Sequence, residues 1–318
     1  MLFRSAGVGM LFGLIQFRLT QSQLGDAGVA PPAKRPDDAA YQRKAWAGIV
    51  AFLVVLAALL VAGLAGTLTL DAVALAQSST YAIVALAFVY FGYVLLFGQL
   101  TRDERGRVIV IIVLFFAAAM FWSGFEQAGS SLNLFAERYT IREFGGFEIP
   151  ASWFQSLNPV FIILLAPFYS MLWVGLARRH LDPSTPLKFA VGLIILGFGF
   201  AVMIGAASLV AEGQQVFPTW LFFTYLLHTM GELALSPVGL SSVTKLAPRR
   251  FVGQMMGVWF LAASLGNILA GLLAGEFRAD ALDEMPSLYI QIVLTTVGSG
   301  VLLALVAKPL KRLAGGAD

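Results

Sequence analysis

The chain has 318 residues, of which 58% are hydrophobic and 12% are charged, and its mean hydropathy is +0.81. A soluble domain carries about twice that share of charged residues, so the composition excludes an ordinary soluble protein and indicates an integral membrane protein. The sequence contains no cysteine, which excludes disulfides and thiolate metal sites, and its two histidines are too few to build a zinc site.

The N-terminal segment, residues 1–17, is short and apolar. A secretory signal also has an apolar run after a basic residue, here Arg4. However, the only small-residue stretch that could be cleaved, Ala27–Ala30, runs directly into two prolines. We therefore interpret residues 1–17 as the end of a membrane helix and residues 18–44 as a polar, proline-containing linker.

Further along the chain, apolar windows of about 20 residues are each long enough to cross a bilayer as a helix. The predicted spans are Ala45–Gly66, Thr80–Leu100, Arg107–Phe135, Ala151–Leu176, Leu187–Ala211, Pro218–Val238, Val252–Gly275 and Leu288–Ala307. The first two contain no Asp, Glu, Lys, Arg or His. We interpret residues 45–100 as a pair of packing helices that face lipid, and we expect the chemistry in the six helices of residues 101–312.

Lys and Arg mark one side of the membrane. Of the 21 Lys and Arg residues, only Arg4, Arg138, Arg142 and Arg278 lie outside five segments. These segments alternate with loops nearly free of basic residues and are 18–44, 101–107, 177–188, 245–250 and 308–312. Because positive residues concentrate in the cytoplasm, the linker and the C-terminal tail, 313–318, are predicted to be cytoplasmic. The restriction of Lys and Arg to helix ends on one side of the membrane also argues against nucleic-acid binding.

The helix predicted over residues 218–238 carries one carboxylate, Glu232, in otherwise apolar surroundings. An ionisable side chain at this depth costs on the order of a few kcal/mol and indicates a function by default. The structural alternative is a carboxylate held neutral in a helix contact. Ser236 lies one turn after Glu232, and His228 lies one turn before it. A His–Glu pair at this spacing can pass a proton, although such a histidine more often belongs to the core. The next helix brings Trp259 to a similar depth, where it can line or close a pocket.

A polar stripe lies on the helix predicted over residues 107–135. Glu126, Ser130 and Asn133 are spaced i, i+4, i+7, so they share one face of a continuous helix, and Gln127 lies beside them. In lipid such a stripe must point into the bundle or into a water-filled cavity. A polar seam between two helices is the structural alternative.

The helix after it carries Asn158 directly before Pro159. An asparagine amide both donates and accepts hydrogen bonds, so it can hold a terminus or an amide of a substrate; a helix kink is the alternative. Deep in the predicted spans, no Lys or Arg neutralises Glu126 or Glu232. Such carboxylates take up a proton readily unless a cation arrives, which suits proton coupling combined with recognition of an amine.

Four long stretches contain these residues, and they are FWSGFEQAGSSLNLFAER, FQSLNPVFIILLAP, GELALSPVGLSSVTKLAP and MMGVWFLAASLGNILAG. In this order they resemble the C-terminal half of the proton-dependent oligopeptide transporters of the major facilitator superfamily. Residues 1–17 resemble the end of the sixth helix of that family, and residues 45–100 resemble the two helices that bacterial members insert between the halves. The implied fold is an all-α integral membrane protein with a major-facilitator C-terminal six-helix bundle at 101–312, the two-helix insertion and the helix remnant.

The resemblance also implies roles for individual residues. Glu232 and Asn158 match the residues that hold the amino terminus of the peptide. Glu126 matches the acidic residue that exchanges salt bridges with a lysine of the N-terminal half during proton-coupled gating. Trp259 matches an aromatic residue that lines the pocket, and Ser236 lies in the same motif. The implied function is proton-coupled symport of di- and tripeptides across the bacterial inner membrane, with the proton as coupling ion and no other cofactor.

The family pairs two six-helix bundles that rock around a site at the midplane. Here the first bundle is absent apart from the helix remnant, so we expect that this chain needs an N-terminal six-helix bundle as its partner and does not transport alone. A truncated membrane protein or subunit without transport activity is the alternative. An intramembrane enzyme is disfavoured, because no Asp lies inside a predicted span and His228 is the only candidate base for a serine protease.

Overall fold

The structure is a computed structural model that describes residues 2–25, 36–65, 71–275 and 285–315, mostly as α-helix. The helices are α1 (Leu2–Thr20), α2 (Pro36–Leu64), α3 (Ala72–Phe97), α4 (Arg102–Phe125), α5 (Ser131–Tyr139), α6 (Leu157–Arg178), α7 (Thr185–Ala211), α8 (Thr219–Leu246), α9 (Val252–Gly275) and α10 (Met285–Leu313). A short antiparallel hairpin, β1 (Glu143–Phe144) and β2 (Phe147–Glu148), follows α5. The prediction of an all-α fold is confirmed.

The described residues fall into two compact units, residues 1–70 and 71–318. In the first unit α2 begins at Pro36, ahead of the predicted Ala45, and its apolar side chains from residue 42 to residue 61 are exposed. Exposed apolar surface of this extent is suited to contact with lipid. The candidate cleavage stretch Ala27–Ala30 lies outside the described residues. The segment boundaries proposed from the sequence remain a prediction.

Local signals in the sequence explain where two helices of the second unit begin. At the start of α3 the Asp71 carboxylate accepts a hydrogen bond from the Val73 amide at 2.9 Å. At the start of α4 the Thr101 hydroxyl accepts from the Glu104 amide at 3.2 Å, and the Glu104 carboxylate accepts from the Thr101 amide at 2.9 Å. This reciprocal pair is a capping box, which gives hydrogen-bond acceptors to two backbone amides that have none within the helix.

The core of the second unit is built around α7. This helix packs against α8 and α10, while α4 packs against α9. The α7 side chains Phe189, Leu193 and Phe200 are fully buried. The backbones of α7 and α8 touch where Gly192 faces Gly231: a Cβ on Gly231 would lie 2.7 Å from the Gly192 carbonyl oxygen. Small residues at such crossings let membrane helices approach closely, and this crossing fixes the position of α8.

Helical segments long and apolar enough to cross a membrane make this chain a multi-pass membrane protein. In the described residues there are seven: Gln42–Gly63, Val73–Phe97, Arg102–Tyr139, Ala151–Arg178, Thr185–Ala211, Arg249–Gly275 and Met285–Leu313. The remaining predicted span corresponds to α8, which is 28 residues long. Its apolar character is interrupted by His228 and Glu232, which lower its mean hydropathy.

The helix predicted over residues 107–135 is not continuous, and this expectation is corrected. α4 ends at Phe125, residues Glu126–Gly129 form a 3-10 turn, and α5 starts at Ser131. At Ser130 the backbone has φ −124° and ψ −97°, outside the helical region. Glycine followed by serine is a weak helix sequence, so the chain can leave the α-helix here at small cost.

We predict that Gly231→Ala destabilises the bundle. The added methyl group would meet the Gly192 carbonyl oxygen, so α7 and α8 must separate, and the free energy of unfolding should fall by about 1–3 kcal/mol, the usual cost of overpacking. The measurement is the midpoint of thermal unfolding of the purified protein in detergent. Gly298→Ala on α10 is the control, because a Cβ there meets nothing within 4 Å. Equal midpoints for the two variants would show that the α7–α8 contact is not tight.

Candidate functional site

The predicted pair of α6 and α8 side chains is brought together. The Asn158 amide nitrogen donates to the Glu232 carboxylate at 2.8 Å and to the Thr229 hydroxyl at 3.1 Å. The Thr229 hydroxyl in turn donates to the Tyr225 carbonyl at 2.7 Å. Asn158 and Glu232 are half-buried, whereas Thr229 is buried. Sequence reasoning missed Thr229, although it precedes Glu232 by three residues and therefore shares its helix face.

The position of Asn158 depends on where α6 begins. A 3-10 segment, Ala151–Ser156, leads into α6, so Pro159 lies in the first turn of the helix. In that turn a backbone amide has no partner within the helix, so proline costs no hydrogen bond and produces no kink. Further along, the Tyr169 hydroxyl donates to the Met230 carbonyl at 2.8 Å and ties α6 to α8 a second time.

Glu126 lies at the junction of α4 and the 3-10 turn and is half-buried. Its carboxylate makes no hydrogen bond or ion pair with any described residue, and it lies within electrostatic range of Glu232. Because the helix breaks here, Glu126, Ser130 and Asn133 do not lie on one continuous helix as the spacing predicted. Asn133 instead accepts a hydrogen bond from the Gln155 amide at 3.1 Å.

Neither carboxylate is paired with a cation among the residues that the structure describes. The ion pairs in this part of the chain join Arg142 to Glu148, Lys188 to Asp182 and Arg250 to Glu104. Two half-buried acids without a cation are costly in apolar surroundings. The arrangement can therefore accept protons or a cation from outside this set of residues.

The remaining two predicted site residues continue along α8 and α9. Ser236 is half-buried one turn after Glu232, and its hydroxyl forms no hydrogen bond with the described residues. Trp259 is 8% exposed, and its ring packs edge-on against Phe189 with 6.0 Å between centroids. A Cβ on Gly239 would overlap the Trp259 ring. Gly239 lies about 10 Å from Glu232 along the helix axis, so Trp259 packs between helices beyond the carboxylate.

His228 belongs to the core. It is buried, its ring lies 4.6 Å from the Phe200 ring and 6.4 Å from the Phe125 ring by centroid, and it covers Gly199. Neither ring nitrogen has a hydrogen-bond partner among the described residues. The geometry favours a packing role over a proton relay to Glu232.

Two apolar cavities lie away from the carboxylates. One, of about 320 Å³, is lined by residues before α6 and at the start of α8, including Trp153 and Phe222. The other, of about 550 Å³, lies between α3 and α9 and includes Tyr90 and Val258. Neither of these two cavities is lined by Glu126 or Glu232.

The chain is similar to known membrane transporters. The model of the POT family matches residues 3–285. The peptide transporter YePEPT of Yersinia enterocolitica is 41% identical, and the match covers 98% of this chain and 62% of that protein. A di-/tripeptide transporter of Lactococcus lactis is 33% identical, over 73% of this chain and 46% of its own length. A crystal structure of the peptide transporter POT in complex with sulfate matches with a TM-score of 0.81 and 34% identity, over 98% of this chain and 62% of that chain.

The chain thus spans less than two thirds of the length of these relatives. The predicted family resemblance is confirmed, and the family consists of membrane transporters rather than enzymes.

We predict that the Gly239–Trp259 contact couples the stabilities of α8 and α9. Gly239→Ala should lower the free energy of unfolding by about 1–3 kcal/mol, because its methyl group displaces the Trp259 ring. In a Trp259→Leu background the same change should cost less, since the displaced ring is gone and only the contact with the Phe189 ring at 2.8 Å remains. Thermal unfolding of the two single variants and the double variant measures this coupling. Strictly additive costs would mean that the ring does not rest on Gly239.

Proposed function

The chain belongs to the POT family, and from this premise we propose that it supplies one helix bundle of a proton-coupled symporter of di- and tripeptides in the bacterial inner membrane. The observation that carries the proposal is the pair of Glu232 and Asn158, joined across α8 and α6 at 2.8 Å, with the unpaired Glu126 within electrostatic range. The alternative from the sequence, a membrane protein without transport activity, is an outcome of the experiments below.

Glu232 and Asn158 form a suitable receptor for the amino terminus of a peptide. Only one Glu232 carboxylate oxygen, Oε2, is bonded to Asn158, and both donated bonds of Asn158 come from its nitrogen. The second carboxylate oxygen and the Asn158 carbonyl oxygen are therefore available as acceptors. An ammonium group has three donors and a positive charge, which matches two acceptors beside a carboxylate. Ser236, one turn along α8, and Trp259 on α9 would border the same pocket.

Glu126 is proposed as the proton-coupling residue. It has no partner among the described residues, so it can bind either a proton or a cation from another bundle. Because Glu126 and Glu232 lie within electrostatic range, a positive charge that binds at one changes the proton affinity of the other. This coupling is reciprocal by thermodynamic linkage, so a proton bound at Glu126 also changes the affinity of Glu232 for an ammonium group.

We further propose that the face with Glu126 and Glu232 packs against a second helix bundle. Both carboxylates are half-buried, and neither has a cation in the described part of this chain. A facing bundle would supply the cations and close the site, and rocking of the two bundles would give alternating access. In this arrangement the basic last turn of α10, with Lys311 and Arg312, faces the cytoplasm.

We predict that Glu232→Gln abolishes selection for a free amino terminus. Glutamine has the same shape and can still accept from Asn158, so the bundle should fold, but the negative charge is lost. In a complex reconstituted with the bundle that completes it, uptake of a dipeptide should fall by about 10- to 100-fold, the scale of one charged hydrogen bond. The preference for the free over the N-acetylated dipeptide should disappear. Glu148→Gln, an exposed ion-pair partner in the hairpin, is the control. A retained preference would remove Glu232 from amine binding.

We predict that Glu126→Gln uncouples uptake from the proton gradient. Without an ionisable group at this position, a pH gradient should no longer drive accumulation, whereas exchange of labelled for unlabelled peptide should continue. Proteoliposomes measure both activities in the same preparation. Proton-driven accumulation that survives the substitution would contradict the coupling role.

A further inference from the structure

The 3-10 turn Glu126–Gly129 is tied to α9. Gln127 is fully buried, and its amide nitrogen donates to the Ala270 carbonyl at 3.1 Å and to the Ser123 carbonyl at 3.3 Å. Its carbonyl oxygen accepts from the Ser131 hydroxyl at 2.7 Å. One side chain thus joins the end of α4, the start of α5 and the backbone of α9.

The close approach of α4 and α9 makes this bond possible. A Cβ on Gly266 would lie 2.8 Å from the Ala119 carbonyl oxygen and 3.0 Å from the Ser123 amide, so the two backbones touch at Gly266. Ala270 lies one turn further along α9, level with the turn. A buried amide with both of its ends hydrogen-bonded holds its surroundings in one geometry.

The same turn is tied to α8 on its other side. The Tyr225 hydroxyl donates to the Ala128 carbonyl at 3.3 Å. The Tyr225 carbonyl accepts from Thr229, which accepts from Asn158, the partner of Glu232. Tyr225 therefore contacts the turn that carries Glu126 through its hydroxyl and the proposed amine site through its backbone.

We propose that Gln127 and Tyr225 are positioning residues that clamp the turn to α9 and α8 and thereby fix the Glu126 carboxyl next to the amine site. The inference deepens the proposed function and rests on it for the role of Glu126. The clamp itself consists of hydrogen bonds within this bundle and does not depend on that role. It fixes the geometry of the break between α4 and α5. Glu126 is then held in place although its own carboxyl takes no part in the clamp.

The first experiment measures the mobility of the Glu126–Gly129 turn with a spin label. The chain has no cysteine, so Gly129→Cys gives a unique spin-label position; Gly129 is exposed and a Cβ there meets nothing within 4 Å. Gln127→Met keeps the side-chain volume, and Tyr225→Phe removes one hydroxyl. Each substitution should raise the mobile-to-immobile ratio of the label about tenfold, which corresponds to the loss of about 1.4 kcal/mol. The double variant should raise this ratio further. The matched control is Thr224→Val, which removes a buried hydroxyl of α8 that bonds to Gly199. An unchanged label in the double variant would overturn the clamp.

The second experiment measures the positioning role in the reconstituted complex. Gln127→Met and Tyr225→Phe should lose proton-driven accumulation and flatten its pH profile, as Glu126→Gln does, while the KM for peptide exchange stays unchanged. A mobile label with intact coupling would overturn the positioning role. If Glu126→Gln itself leaves coupling intact, the proposed function of Glu126 fails, whereas the label measurements still decide whether the turn is clamped.

Discussion

A carboxylate at bilayer depth must find a donor, a proton or a cation, and the bundle is arranged around this constraint. Glu232 satisfies it in part through the Asn158 amide across the α6–α8 contact. Glu126 does not satisfy it within the described residues. Since a charge in apolar surroundings is costly, an unpaired acid in a membrane helix indicates a functional site by default. The functional proposal therefore rests on the two acids. It does not rest on the apolar cavities described above, which are lined by neither acid.

Close backbone contacts are what bring the polar groups together. Gly192 and Gly231 let α7 and α8 touch, and Gly266 lets α9 reach the end of α4. A larger side chain at any of these crossings would push the two helices apart. The glycines of the bundle therefore act on the site indirectly, because they set the distances over which Asn158 and Gln127 can bond.

Much of the fold follows from the sequence, because apolar windows and basic helix ends are strong signals. The candidate carboxylates were also visible, since a charge inside an apolar run stands out. The break after Phe125 was not, because the apolar run and the helical spacing of Glu126, Ser130 and Asn133 continue through it. That spacing predicted a single face, which the turn disrupts.

The connecting residues were harder to find than the acids. Thr229 had a signal in its spacing from Glu232, but the pairing of Asn158 with Glu232 came from the family resemblance and not from any spacing. Gln127 and Tyr225 bond to backbone carbonyls of distant segments. A carbonyl is present at every residue, so such a bond leaves no residue pattern in the sequence. Such a bond can be identified only in the structure, where the helices approach closely.

The connections around the two acids favour a bundle that moves as one body. Tyr225 and Glu232 lie on a single uninterrupted helix, α8, which also contacts α7 and α9. The turn with Glu126 is bonded to both α8 and α9. A displacement of one acid relative to the other would have to break these bonds, and breaking the buried bond of Gln127 would leave an unsatisfied polar group. The proposed exchange of protons and cations at Glu126 and Glu232 requires no such break. In the proposed symport, the change during coupling would therefore occur in the charges that face the acids, while the distance between the acids stays constant.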